Sequence, residues 1–241
     1  PEEKEYREIL EQGDCIVRWS AAPELPGALE FGRYLREKNI LPYIGHSDAV
    51  YDQVADAYES GFTLATHLFS GMSTIKRIHS YRHLGAVESA LYFDEMDVEL
   101  ICDGSHLPAE LVKMVYQIKG PARIALITDS IRAAGTQATE SILGNERDGI
   151  RVIVEDRVAK LPDRSSLAGS VATADWLLRF AWKEAGIPLT DAVRMLTSTP
   201  ARIIGIEKKK GKLAPGMDAD LVLFDENGNL EKVMFGGKWA A

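Results

Sequence analysis

A chain of 241 residues suffices for one large domain, or a domain with a small appendage. It is 46% hydrophobic and 27% charged, so it can bury a core without covalent staples. A net charge of -8 excludes a nucleic-acid partner, because no basic stripe exists to neutralise phosphates. The one cationic run, Lys208-Lys209-Lys210, reads as a solvated turn.

No stretch of about 18 apolar residues occurs, and the first residues lack a signal-peptide pattern. A soluble, cytoplasmic protein with no membrane partner is expected. Cys15 and Cys102 stand in no metal or redox spacing, and both fall in apolar runs that predict burial as small hydrophobes. Pro1 opens the sequence without an initiator Met and leads into a charged helical segment. The sequence is therefore expected to start within a gene product.

Short apolar runs at 15–18, 41–45, 63–68, 98–102 and 124–128 predict strands. They lack the alternation of a half-wet sheet, as parallel strands covered on both faces do. Helices are predicted between them. One is capped by Asp48, carries Val50, Val54 and Ala57 on one face and stops at Gly61. Another covers 108–119, with Leu111, Val112, Val115 and Ile118 as its buried stripe and Gly120 as its end. Repeated strand–helix units imply right-handed crossovers and a parallel sheet or barrel.

Residues 149–161 alternate and predict a hairpin turning at Glu155-Asp156. Helices are expected over 173–185 and 189–196, then a third with Thr199 as N-cap and Pro200 in first position. The tail is strand-like at 221–224 and 232–235, with a turn at Asn227-Gly228-Asn229. Residues 1–207 are expected to form the main domain, and 208–241 to supply strands of a small β-domain.

Polar side chains gather just after the strand runs, where parallel α/β folds place their active sites. His46 follows the 41–45 run, His67 closes the next, His106 follows Asp103-Gly104, and Asp129 closes 124–128. Four such groups at four strand ends would converge on one mouth. Two histidines and a carboxylate suit a borderline divalent metal with an open position, and Asp129 would be the base taking a proton from the attacking water. His79 and His83, in a Tyr- and Arg-rich segment, read as loop or substrate contacts. Leu167-Ala168-Gly169-Ser170, expected as a turn before a helix, would turn its amides to an anion or serve as a packing turn. Arg82 would pair with a phosphate or stand as a surface arginine.

These segments resemble the N-acetylglucosamine-6-phosphate deacetylases of the amidohydrolase superfamily. The resemblance is carried by Gly45-His46-Ser47-Asp48-Ala49 and Ala65-Thr66-His67-Leu68-Phe69, whose histidines lie 21 residues apart. It continues through Ala22-Pro23-Glu24-Leu25, Asp103-Gly104-Ser105-His106, Leu126-Ile127-Thr128-Asp129, Leu167-Ala168-Gly169-Ser170 and the tail from Lys212 to Asp220.

The resemblance implies a metal-dependent (β/α)8-type TIM barrel with a small β-domain. The implied reaction is hydrolysis of the acetamide of N-acetylglucosamine 6-phosphate to glucosamine 6-phosphate and acetate. It implies His46 and His67 as ligands of a divalent metal, zinc or iron, and Asp129 as the catalytic acid/base. His106 would contact the sugar or its reacting amide. Ser70, Gly71, Arg82 and the Leu167, Ala168, Gly169 segment would hold the phosphate of the amino sugar. Glu24 is expected to be structural, and a homodimer is implied.

This sequence departs from the family in two ways. Ser70-Gly71 stands where the family usually has Asn-Ala. The family's upstream His-x-His strand and metal-binding glutamate do not occur in it, so the metal site is expected to be incomplete. The alternatives are another cyclic-amide or deaminase-type amidohydrolase, and a non-catalytic sugar-phosphate-binding barrel.

Overall fold

In the computed structural model, which describes residues 1–240, parallel strands alternate with helices through the first hundred residues. The chain divides into two units, Pro1–Glu99 and a second that starts at Leu100.

The first unit opens with α1 (Glu3–Leu10), then β1 (Arg18–Ala21), α2 (Ala28–Glu37), β2 (Leu41–Ile44), α3 (Tyr51–Glu59) and β3 (Leu64–Ala65). A hairpin follows, β4 (Lys76–Ile78) and β5 (Tyr81–His83), then α4 (Ala86–Tyr92) and the start of β6 (Asp97–Ile101). Strands β1, β2, β3 and β6 pair in that order, all parallel. Ile44, Leu64, Phe31, Leu35 and Phe62 are fully buried. Each such side chain contributes roughly 1.5–3 kcal/mol over its exposed state.

Three local expectations shift here. The first strand lies three residues later than its apolar run, because Trp19 packs edge-on against Phe31 (5.3 Å) while Val17 stays exposed. Cys15, expected to be buried, is exposed for the same reason. Helix α3 is not capped by Asp48: it begins at Tyr51, and the Gln53 side chain accepts the Val50 N–H at 3.0 Å.

In the second unit Leu100 and Ile101 finish β6, whose neighbour there is β7 (Ile124–Ile127) after α5 (Ala109–Lys119). Val112 and Val115 of α5 are buried as expected, but Ile118 is exposed; the buried stripe is narrower than its apolar residues suggest.

An antiparallel sheet of β8 (Glu140–Leu143), β9 (Ile150–Glu155), β10 (Val158–Lys160) and β11 (Leu167–Ser170) comes next. Its β9–β10 turn is Asp156-Arg157, one residue beyond the expected position. Both turn residues adopt positive φ, which a two-residue hairpin loop with the strands' own twist requires. The Leu167 to Ser170 segment is a strand paired with β10, not the expected turn before a helix. Its polar neighbours hid a partner more than six residues away in sequence.

Helix α6 (Ala174–Arg179) runs on through a π-helical turn, Phe180–Glu184, and is followed by α7 (Leu189–Leu196) and α8 (Ser198–Ile203). Thr199 does not cap α8; its hydroxyl donates to the Pro121 carbonyl (2.8 Å) from inside the first turn. A meander of β12 (Leu221–Phe224), β13 (Leu230–Phe235) and β14 (Lys238–Trp239) closes the unit. No helix among the described residues is long and apolar enough to cross a membrane.

Candidate active site

The first unit brings His46 and His67 together. Each lies just past the carboxyl end of a strand, β2 and β3, which are neighbours in the parallel sheet. Both adopt positive φ, 49° and 30°, so each strand breaks at its histidine. The rings meet edge to face with centroids 4.6 Å apart. His67 is buried, whereas His46 is exposed on an open pocket of about 340 Å³ lined by Glu24, Ser47, Asp48, Gly71, Met72 and Ser73.

Two carboxylates support this pair: half-buried Glu24, expected to be structural, and buried Glu99, which the sequence reading did not single out. Glu24 holds the segment after His46: it accepts the Ser47 hydroxyl (2.8 Å) and the Asp48 N–H (2.6 Å). Ser47 in turn accepts the Ala49 N–H, and Ser73 ties the same loop to the next by donating to the Ala49 carbonyl (2.6 Å).

Glu99, on β6, is buried beside His67. Its carboxylate pairs with Arg18 and accepts the Thr66 hydroxyl (2.5 Å), and its carbonyl accepts the Leu68 N–H (2.7 Å). The residues on both sides of His67 are thus tied to one residue, Thr66 through the Glu99 side chain and Leu68 through its backbone. The signal for Glu99 was a lone acid inside the apolar run Val98-Glu99-Leu100-Ile101, because a buried charge must find a partner.

Ser70 and Gly71 turn the chain back after His67, the Ser70 N–H donating to the His67 carbonyl (2.9 Å). Gly71 has φ 60°, and a Cβ there would sit 2.6 Å from His46 Nδ1. Glycine is required for this close approach. Arg82 lies elsewhere in the unit, exposed on β5 opposite Arg77. His79 occupies the hairpin's two-residue turn and His83 pairs with Lys76; both are exposed.

In the second unit His106 follows β6. Its ring Nδ1 lies 2.8 Å from Asp103 Oδ2, while Asp103 Oδ1 accepts the N–H groups of Ser105 (2.9 Å) and His106 (2.8 Å). Burial pushes the Asp103 carboxyl up, but the bonds from His106 and from the Ser170 hydroxyl outweigh it and hold it below the usual carboxylate value.

Asp129 closes β7 with φ 49° and an exposed side chain. Its carbonyl accepts the Ser170 N–H (3.1 Å), and Ile131 N–H donates back to the Ser170 carbonyl (2.9 Å). The end of β11 is thereby fastened to the Asp129 loop, with a Gly169 Cβ position 2.7 Å from Ile131. Leu167 is exposed and Ala168 is buried.

The donor set can be tested against a metal. Two imidazoles at this separation suit two positions of a tetrahedral borderline cation. Among the described residues, no group of three or more His, Cys, Asp and Glu side chains is placed to hold one. The pair fits as part of a ligand set.

The two histidines stand just past the carboxyl ends of adjoining parallel strands, where α/β folds place their sites. Residues 38–240 match the sequence profile of the Amidohydrolase family, and the chain belongs to that family. Its relatives are specific. The chain is 34% identical over 226 residues to the N-acetylglucosamine-6-phosphate deacetylase of Lysinibacillus sphaericus, covering 94% of this chain and 56% of that protein.

Among solved structures, a variant of the Mycobacterium smegmatis deacetylase in complex with N-acetyl-D-glucosamine-6-phosphate is 32% identical. It superposes with a TM-score of 0.91 over 99% of this chain and 61% of that one. The Pasteurella multocida deacetylase is 29% identical with a TM-score of 0.90, over 100% and 61%. The chain thus spans less than two thirds of the length of these relatives. Its fold is the α/β amidohydrolase fold with a parallel sheet.

Proposed function

We propose that this chain is the larger part of an enzyme that hydrolyses the acetamide of N-acetylglucosamine 6-phosphate to glucosamine 6-phosphate and acetate, in amino-sugar catabolism. The observation that carries the reading is the His46–His67 pair at the ends of adjoining parallel strands. The similarity to deacetylases over nearly the whole chain supports it.

His46 and His67 would hold a divalent metal, zinc or iron, with further ligands from outside the pair. When bound, such an ion polarises an amide carbonyl and acidifies a water. Asp129 takes the proton from the attacking water and hands it to the leaving amine. Its exposed carboxylate on a sharply turned strand end supports that role.

His106 contacts the sugar. Ser70 and Gly71, Arg82 and the β11 residues Leu167, Ala168 and Gly169 hold the phosphate. In this reading the parallel strands belong to a (β/α)8 barrel over residues 1–207, and 208–241 supply strands of a small β-domain. The half-exposed apolar side chains of β12 and β13 support the last point. Following the resemblance, the enzyme is a homodimer. Two unpaired cysteines suit a cytoplasmic location.

The test is acetate release from N-acetylglucosamine 6-phosphate by the full-length protein supplied with zinc or ferrous iron. Asp129→Asn is expected to lower turnover on the order of 100- to 10,000-fold, the span of acid–base catalysis. Near-normal turnover in that variant would remove Asp129 from its role. No acetate with either metal, from a folded protein, would overturn the reaction itself.

A further inference from the structure

We propose that Asp103 is a positioning residue: it fixes the His106 ring with its proton on Nδ1, so that Nε2 is the nitrogen offered to the substrate. The substrate's identity rests on the function proposed above; the state of the ring does not.

The loop that follows β6 is held by its own aspartate. Asp103 Oδ1 is committed to two consecutive backbone N–H groups, those of Ser105 and His106. Oδ2 lies 2.8 Å from Nδ1 of the His106 ring, and the carboxyl also accepts the Ser170 hydroxyl. An ionised carboxylate only accepts, so the hydrogen in that contact belongs to Nδ1.

The geometry has little room to change. The side chains of Asp103 and His106 are 1% and 8% exposed. Trp176 Nε1–H donates to the Asp103 carbonyl (2.9 Å), fixing the loop from the other side. Gly104 takes φ 83°, and a Cβ there would meet the Phe180 ring at 2.7 Å, so the turn holds one shape.

No hydrogen bond among the described residues engages His106 Nε2. The loop lies at the carboxyl end of its strand, the end where parallel α/β folds receive ligands. In the neutral ring Nε2 is an acceptor. It fits a hydroxyl or an amide N–H, and both occur on an acetylated amino sugar.

Asp103→Asn reverses this polarity. The amide oxygen must keep the two backbone N–H groups, which turns its NH2 toward ring Nδ1. The ring then carries its proton on Nε2 and meets a substrate donor with another donor.

The experiment uses the full-length protein with 15N-labelled histidine and reads the His106 ring by NMR. Wild type is expected to show the Nδ1–H form, and Asp103→Asn the Nε2–H form. KM for N-acetylglucosamine 6-phosphate should rise about 10- to 100-fold in the variant, the span of one mispaired hydrogen bond. Asp103→Asn with His106→Gln should be no worse than His106→Gln alone, because the asparagine keeps the two backbone N–H groups and alters only the contact with that ring.

A wild-type ring protonated on Nε2 would overturn the proposal without any variant having to fold. So would additive losses in the double variant. The Nδ1–H form in a protein that releases no acetate would support the proposal and sink the deacetylase reading, so the two fail separately.

Discussion

The ends of the parallel strands in the first unit and the C-terminal meander solve the problem of order in opposite ways. At the ends of β1, β2, β3 and β6, polar loops are fixed by carboxylate acceptors: half-buried Glu24 under the His46 loop, and buried Glu99 between Arg18 and Thr66. In the meander the backbone ladder carries the order, while Val222, Leu230, Phe235 and Trp239 stay at least half exposed. Polar residues near a site can therefore be more constrained than apolar residues in a sheet. Hydrogen bonds are directional and costly to leave unmade once buried, whereas an uncovered apolar side chain contributes little and constrains little.

Four substitutions test that contrast. The largest expected effect is Glu99→Ala, which strands the Arg18 guanidinium and the Thr66 hydroxyl. Losing one partner of a buried pair costs about 3 kcal/mol, at the lower end of the range because Arg18 is a third exposed. Urea unfolding that gave under about 1 kcal/mol would show that Glu99 does not hold the His67 strand end.

A smaller effect is expected at Gly71→Ala. The left-handed backbone costs an alanine about 1–2 kcal/mol, and its methyl would push the His46 ring aside. Weaker zinc affinity by calorimetry, alongside the stability loss, is the outcome that links this turn to His46.

Cys102 provides a pH test of burial at the strand end. Burial, with the Asp103 charge adding to it, pushes its thiol up from 9 to about 12. A raised folded value means the contribution is fully present below the unfolded pKa. It declines as pH rises from there toward the folded value, because only the unfolded chain can ionise. The slope is about 1.4 kcal/mol per pH unit. Comparing wild type with Cys102→Ala across pH 9 to 11 should isolate it. Cys15, which is exposed, should react with iodoacetamide at pH 8 while Cys102 does not.

The smallest effect is expected in the meander. Phe235→Ser, at a position 73% exposed, should change stability by no more than about 0.5 kcal/mol. A loss of several kcal/mol there would mean that the meander's apolar face is covered in the full-length protein.

The alternation of strands and helices could be read along the chain, because periodicity and helix stops are local properties. Helix α7 falls where its pattern put it, and β2, β6 and β7 lie within a residue of theirs. The His46 and His67 motifs were legible too, since each stands at the end of an apolar run with punctuation on both sides.

Tertiary structure alone decided which residues hold them. Glu24 reaches 23 residues along the chain to Ser47, and Glu99 reaches 33 to Thr66 and 81 to Arg18. No local pattern encodes such a pairing. The strand at Leu167 to Ser170 was missed for the same reason: its partner, not its own composition, makes it a strand. Local propensity sets which elements can form, while long-range burial selects the side chain that satisfies each polar group left inside.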